Sequence, residues 1–222
     1  SRTIPFVSKA LGIPLARVAA KVMAGKSLKD LKFQNVPNLE GFFVKEAVMP
    51  FNKFQNVDPI LGPEMRSTGE VMGIGNSFAE AFEKAEVGAG VEIPKEGSVF
   101  ISVRDTDKQF LSEIVPSLVE EDFKLIATKG TASVIKNMGF KVSQIKKVIE
   151  GRPNIVDLMK NKEVNLVINT TEGRESILDS ASIRRTALDE KICCTTTIKG
   201  AKAICEVITK KVDWSYRKLQ DI

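Results

Sequence analysis

The sequence predicts an α/β protein, a doubly wound parallel sheet preceded by a smaller, incomplete α+β segment. Two observations over residues 95 to about 210 carry this expectation. Four short β-rich apolar runs recur: Val99-Phe100-Ile101-Ser102-Val103, Lys124-Leu125-Ile126-Ala127-Thr128, Asn165-Leu166-Val167-Ile168-Asn169 and Lys191-Ile192-Cys193-Cys194-Thr195. Helix-period segments lie around them, at 110–119, 132–138, 155–159, 177–188 and 201–212. Strand alternating with helix, at about 20 to 30 residues per unit, implies parallel strands joined by right-handed crossovers. In such sheets ligands collect at the carboxyl ends of the strands, near the point where strand order reverses.

The first ninety residues read differently. A helical pattern runs from Val7 to Met23 through Leu11, Leu15, Val18, Ala19 and Val22, interrupted at Gly12-Ile13-Pro14 and closed by Gly25. Residues 42–49 read as a strand stopped by Pro50. Residues 51–75 are dense in Pro and Gly, and a helix is expected over about 77–87. Two helices and a strand bury little core by themselves, so residues 1–92 are expected to be the end of a larger lobe. Gly88-Ala89-Gly90 and Pro94 would join it to a second domain at 93–222. The chain opens on Ser1 in a segment that reads as mid-domain, and a longer parent polypeptide is expected.

Composition narrows the chemistry. The 222 residues are 43% hydrophobic and 27% charged, which is globular, and no apolar run approaches the roughly 20 residues that a bilayer requires. A cytoplasmic protein without membrane partners is expected. Three cysteines, Cys193, Cys194 and Cys205, are wrongly spaced for a disulfide frame or a metal site and read as buried thiols. Histidine is absent, which removes Ser-His and Cys-His nucleophile pairs and zinc-histidine sites. No catalytic and no metal-ligating residue is assigned. The net charge of +5 is interleaved with acids, as in Arg104-Asp105 and Asp189-Glu190-Lys191, and no basic stretch alternates with aromatics. Nucleic acid is not an expected partner.

The polar strand ends suggest an anion site. Asp105, Asp107 and Lys108 follow the first run; Thr128, Gly130 and Thr131 follow the second; Asn169-Thr170-Thr171-Glu172-Gly173-Arg174 follow the third; Thr195-Thr196-Thr197 follow the fourth. Hydroxyls, lysines and the free N–H groups of helix N-termini on one rim suit a phosphate. Taken singly, Thr128, Thr131 and Thr171 would each read as helix caps, and it is their repetition on one face that favours a site. Lys147 alone reads as a solvated lysine, and Asn169 could read a sugar or base edge or tie down its own loop.

Longer motifs resemble a known family. "VKEAVMPFNKF" followed by "VDPILGPEMRSTGEVMG" is similar to the end of the second ATP-grasp synthetase half of carbamoyl phosphate synthase large subunits, and "SRTIPFVSKALGIPLARVAAKVMAGKSL" resembles the segment before it. "ATKGTASVI", "VIEGRP", "VINTT" and "IRRTAL" resemble that family's C-terminal regulatory domain, of methylglyoxal-synthase-like fold. The resemblance implies a parent enzyme that makes carbamoyl phosphate from bicarbonate, glutamine-derived ammonia and two ATP, with Mg or Mn and K, beside a glutaminase small subunit. The family's metal-binding carboxylate and amide would lie just before Ser1, so this stretch alone is expected to be inactive and to hold no cofactor. The resemblance further implies a UMP and IMP effector pocket at Lys108, Thr128, Gly130, Thr131, Lys147, Asn169, Thr170 and Thr171. It implies an ornithine site at Glu46, Leu61 and Thr196, and an oligomer formed through the regulatory domain.

Two rivals are weighed. A methylglyoxal synthase would need a catalytic aspartate in a Gly-Gly-Asp turn; here the turn is Glu150-Gly151-Arg152-Pro153, and Asp157 is expected to face solvent from the helix beyond. The other is a module that only assembles the enzyme. Glu64 and Glu70 look like a carboxylate pair, but Arg66 between them favours structural ion pairing.

Overall fold

The computed structural model describes residues 3–33, 36–49, 51, 58–59, 67–214, 216 and 218. Its centre is a five-stranded sheet of β3 (Ser98–Ser102), β4 (Lys124–Thr128), β5 (Ser143–Ile145), β6 (Leu166–Asn169) and β7 (Cys193–Thr195), in the order β5-β4-β3-β6-β7 with every pair parallel. The chain builds outward from β3 to β4 and β5, then returns to the other side of β3 for β6 and β7. Strand order therefore reverses at β3, and the carboxyl ends of β4, β3 and β6 meet there.

Both faces of this sheet are covered, which explains why its strands read as apolar runs without alternation. Val99 and Ile101 of β3 and Leu166 and Ile168 of β6 pack on one side, with Leu111, Ile114 and Leu118 of α4 (Leu111–Glu120) and Ile204, Val207 and Ile208 of α9 (Ile198–Lys210). Phe100 and Val167 point to the other side. They meet Ile155 and Met159 of α6 (Ile155–Lys160) and Ile183 and Ala187 of α8 (Ala181–Asp189). The period of two in each strand thus divides the core into two clusters.

In the N-terminal part, α1 (Thr3–Leu11) and α2 (Leu15–Met23) form the interrupted helical pair, turning at Gly12 with φ +65°. β1 (Phe42–Val48) pairs antiparallel with β2 (Gly69–Gly75), and α3 (Phe78–Gly88) lies against both and against α9. β2 falls within the stretch read as loop because of its glycines. Those glycines are what let α3 approach: a Cβ on Gly73 would lie 2.7 Å from Ala85 N, and one on Gly75 2.7 Å from Ala81 N. Pro50, expected to stop β1, lies outside the described residues.

Two further elements depart from the sequence reading. β5 has only three residues at the sheet edge, with Ser143 and Gln144 exposed, too short to show as an apolar run. The single helix expected over 177–188 is two, α7 (Arg174–Asp179) and α8, meeting at Ser180. The remaining helix, α5 (Lys129–Asn137), starts at once from the end of β4 and so runs its first turn past the reversal point.

Candidate functional site

At the reversal point lies a cleft of about 410 Å³, lined by strand-end side chains and by two 3-10 turns, Asp105–Phe110 and Val148–Glu150. Lys108, Thr128, Gly130, Thr131, Lys147, Asn169, Thr170 and Thr171 all line it. The fourth group of strand-end threonines does not. β7 is an edge strand, and there Thr197 caps α9 by accepting from Gly200 N at 3.1 Å, while Thr195 is buried. Within that group Thr197 is a helix cap.

Around the cleft capping is not what the threonines do. Thr128 occupies the N-cap position of α5 yet its side chain makes no cap hydrogen bond, and its hydroxyl stands 3.3 Å from Ser102 Oγ. Thr131 Oγ1 accepts from Val103 N at 3.3 Å and Thr170 Oγ1 accepts from Arg104 N at 3.2 Å. Those two bonds fasten the turn after β3 to the first turn of α5 and to the residue that follows β6. α7 begins after Gly173, so Thr171 is not its cap. The first N–H groups of α5 have no partner within the helix, and Gly130 and Thr131 bring them to the cleft wall.

Asn169 is the most telling residue. It ends β6, is 1% exposed, and its Nδ2 has no hydrogen-bond partner among the described residues. A buried amide donor left empty costs roughly 1–3 kcal/mol, which a ligand acceptor would recover. Lys108 reaches in from the first turn, pairing with Asp105 Oδ1 at 2.7 Å, and Lys147 from the second. Part of the lining is apolar: Val148, Ile149, Ile155 and Ile183 contribute to it, and Ile149 is 67% exposed. The sequence hints at this wall only through Val148-Ile149, an apolar pair outside any periodic segment. Ser102, Arg104, Ser176 and Ser180 also line the cleft and were not singled out. The cleft therefore pairs a cationic end with an apolar slot.

Residues 111–196 match the family model of the MGS-like domain. The whole chain is 57% identical over 222 residues to the carbamoyl phosphate synthase large chain of Pseudomonas aeruginosa, covering 100% of this chain and 21% of that one. It is 55% identical to the same chain of Pseudomonas syringae and 52% identical to that of Pasteurella multocida, again over 100% of its length and 21% of theirs. Over its whole length the chain is similar to the C-terminal part of carbamoyl phosphate synthase large chains. It spans about a fifth of the length of those relatives. A solved methylglyoxal synthase from Elizabethkingia anophelis aligns over 51% of this chain and 79% of its own with a TM-score of 0.43 and 16% identity. The parallel sheet with helices on both faces is the MGS-like fold.

Asp157 is not the solvent-facing residue the sequence suggests. It is the third residue of α6, its carboxylate accepts from Asn154 N at 3.0 Å, and Arg152 Nε lies 3.3 Å away. The carboxylate is thus occupied in closing the helix N-terminus, where a negative charge is favoured. The carboxylates that do line the cleft are Asp105 and Glu172. The turn before α6 needs glycine at position 151, where φ is +106°. Among the described residues no group of three or more His, Cys, Asp or Glu could hold a metal ion, and no helix is long and apolar enough to cross a membrane. The cysteines are free, and burial pushes the Cys194 and Cys205 thiols up to about 12.

Of the residues that the resemblance gives to ornithine, the two described, Glu46 and Thr196, do not line this cleft. Glu46 lies in β1 opposite Val71, and Thr196 is exposed beyond β7. Leu61 lies outside the described residues, as do Glu64 and Arg66; Glu70 pairs with Lys45 at 3.1 Å. Glu46 has a neighbour that sequence reading missed. Glu86 of α3 has its carboxyl pushed up to about 7, first by burial and then by the Glu46 charge. A carboxyl raised in the folded state adds stability in full below its unfolded value near 4.5, and loses it as pH rises through about 7. Glu86→Gln should therefore stabilise the chain by about 2 kcal/mol at pH 8 and leave it unchanged near pH 4.5, as read by urea unfolding at the two pH values.

Proposed function

We propose that this chain is the effector-binding end of a carbamoyl phosphate synthase large chain, and that its cleft takes a nucleoside monophosphate such as UMP or IMP. Lys108, Lys147 and the N-terminus of α5 would hold the 5′-phosphate, with the hydroxyls of Thr128, Thr131, Thr170 and Thr171 around it. The apolar wall of Val148, Ile149 and Ile155 would take the face of the base. Asn169 Nδ2 would donate to a sugar or base oxygen. The observation that carries this reading is the buried, unpartnered Asn169 amide in the same cleft as two lysines and an open helix N-terminus. Charge-assisted hydrogen bonds contribute roughly 1.5–3 kcal/mol each, so four or five of them, less ordering costs, suit an affinity near micromolar.

In this reading residues 1–92 are the end of the ATP-grasp synthetase lobe and 93–222 the allosteric domain. The effector biases carbamoyl phosphate synthesis in the parent enzyme, which uses ATP with Mg or Mn and K, works beside a glutaminase small subunit in the cytoplasm, and supplies pyrimidine and arginine synthesis. Ornithine, a diamine, would meet the carboxylates of Glu46 and Glu86, whose mutual repulsion a cation relieves. The regulatory domain would also carry oligomer contacts.

Calorimetric titration of the chain with UMP and IMP tests the reading. A one-to-one isotherm near micromolar supports it; no heat with either nucleotide at millimolar concentration overturns it. In the same preparations the chain should show no magnesium-dependent ATP hydrolysis, and measurable turnover would contradict its assignment as a purely regulatory piece.

A further inference from the structure

The cleft already contains an anion. Asp105 is the first residue of the 3-10 turn after β3, and its carboxylate pairs with Lys108 Nζ at 2.7 Å, both side chains lining the cleft. The lysine is packed over the first turn of α5, since a Cβ built on Gly130 would lie 3.2 Å from Nζ. Lys147, at the start of the second 3-10 turn, lines the same cleft. A hydrogen bond from Lys108, then its charge, then the charge of Lys147, hold the Asp105 carboxyl below the usual carboxylate range. The nearby Arg104 is committed elsewhere, its Nε bonded to Asp107 Oδ2 at 2.9 Å.

This pair does little for the fold. The Asp105 side chain is 93% exposed, and an ion pair so open to solvent contributes little stability. Its position is the notable feature: the carboxylate is bonded to one of the two lysines that a ligand phosphate would need and feels the charge of the other. We propose that Asp105 is a built-in competitor for the ligand's phosphate, holding Lys108 until a doubly charged phosphomonoester displaces it, and so setting which anions the cleft accepts. The inference rests on the nucleotide reading above.

The selectivity follows from charge. Exchanging the Asp105 carboxylate for another single negative charge leaves the attraction to Lys108 and Lys147 nearly unchanged, so a carboxylate ligand gains little by entering. A phosphomonoester carries about −1.5 to −2 at pH 7 and gains by the exchange. An uncharged nucleoside does not compete for the lysines at all.

The test is calorimetry on the wild-type chain, Asp105→Asn, Lys108→Ala and the double variant, with UMP, uridine and inorganic phosphate as probes. Asp105→Asn should bind UMP and inorganic phosphate about two- to fivefold more tightly than wild type, the range set by an exposed ion pair, and uridine unchanged. In the Lys108→Ala background the gain from Asp105→Asn should shrink, because the competitor then has one cation fewer to occupy. If wild type binds UMP and Asp105→Asn binds it equally or more weakly, the competitor role falls while the nucleotide reading stands. Equal tightening for uridine would also overturn the role. If no probe binds to wild type, uptake of inorganic phosphate by Asp105→Asn alone supports it, and failure there removes both readings.

Discussion

Lys108→Ala is expected to weaken UMP binding by one to two orders of magnitude, the largest loss of any single change in the cleft. The lysine supplies a charge-assisted hydrogen bond worth roughly 1.5–3 kcal/mol, and every 1.4 kcal/mol is about tenfold in affinity. Its side chain already lies over the first turn of α5 at Gly130, so little ordering is left to the moment of binding. Thr128→Ala should cost less, about three- to tenfold, since a neutral hydroxyl offers roughly 0.5–1.5 kcal/mol. Thr128 makes no cap bond to α5, so its loss should leave thermal stability nearly unchanged. The pair of measurements separates a ligand role from a capping role. A Thr128→Ala variant that melts earlier but binds UMP as tightly would return that residue to the fold, and a Lys108→Ala variant with wild-type affinity would remove the cationic end of the proposed site.

Asp58→Asn should lower stability by about 3 kcal/mol, the largest effect expected outside the cleft. Arg184 of α8 is 2% exposed, its Nε donates to Asp58 Oδ1 at 2.8 Å, and its Nη2 bonds both Asp58 and the Ile177 carbonyl, the latter at 2.6 Å. Its Nη1 already lacks a partner. Neutralising Asp58 would leave a buried guanidinium without its counter-charge, a loss of about 3–5 kcal/mol for a fully buried pair, taken at the low end because Asp58 is 31% exposed. For a chain of this size that is a fall in melting temperature of roughly 6–12 °C. The exposed Lys162–Glu190 pair provides the control, with an expected loss below about 1 kcal/mol on Lys162→Ala. Equal losses at the two sites would show that the Asp58 contact carries no special weight. The same change should also weaken UMP modestly, because Ile183, beside Arg184, and Ser180 line the cleft.

The sequence showed the sheet where its strands are buried on both faces. β3, β4 and β6 are continuous apolar runs ended by polar residues, and those ends name seven residues of one cleft, while the eighth, Lys147, came only from the family resemblance. It failed where packing replaces apolarity. β2 is written in glycines because α3 lies against it, and β5 is a three-residue edge strand held by β4. It over-read the triple threonine after β7, since nothing local distinguishes a strand end that faces the reversal point from one at the sheet edge. The empty bond of Asn169 and the repulsion between Glu46 and Glu86 depend on distances between elements and were not legible in the chain.

The most direct test is a crystal structure of this chain grown with UMP. The account predicts phosphate density between Lys108, Lys147 and the first turn of α5, with the base against Val148 and Ile149 and an oxygen within hydrogen-bond reach of Asn169 Nδ2. Well-ordered nucleotide elsewhere, with Lys108 still paired to Asp105 and the Asn169 amide still empty, would contradict it.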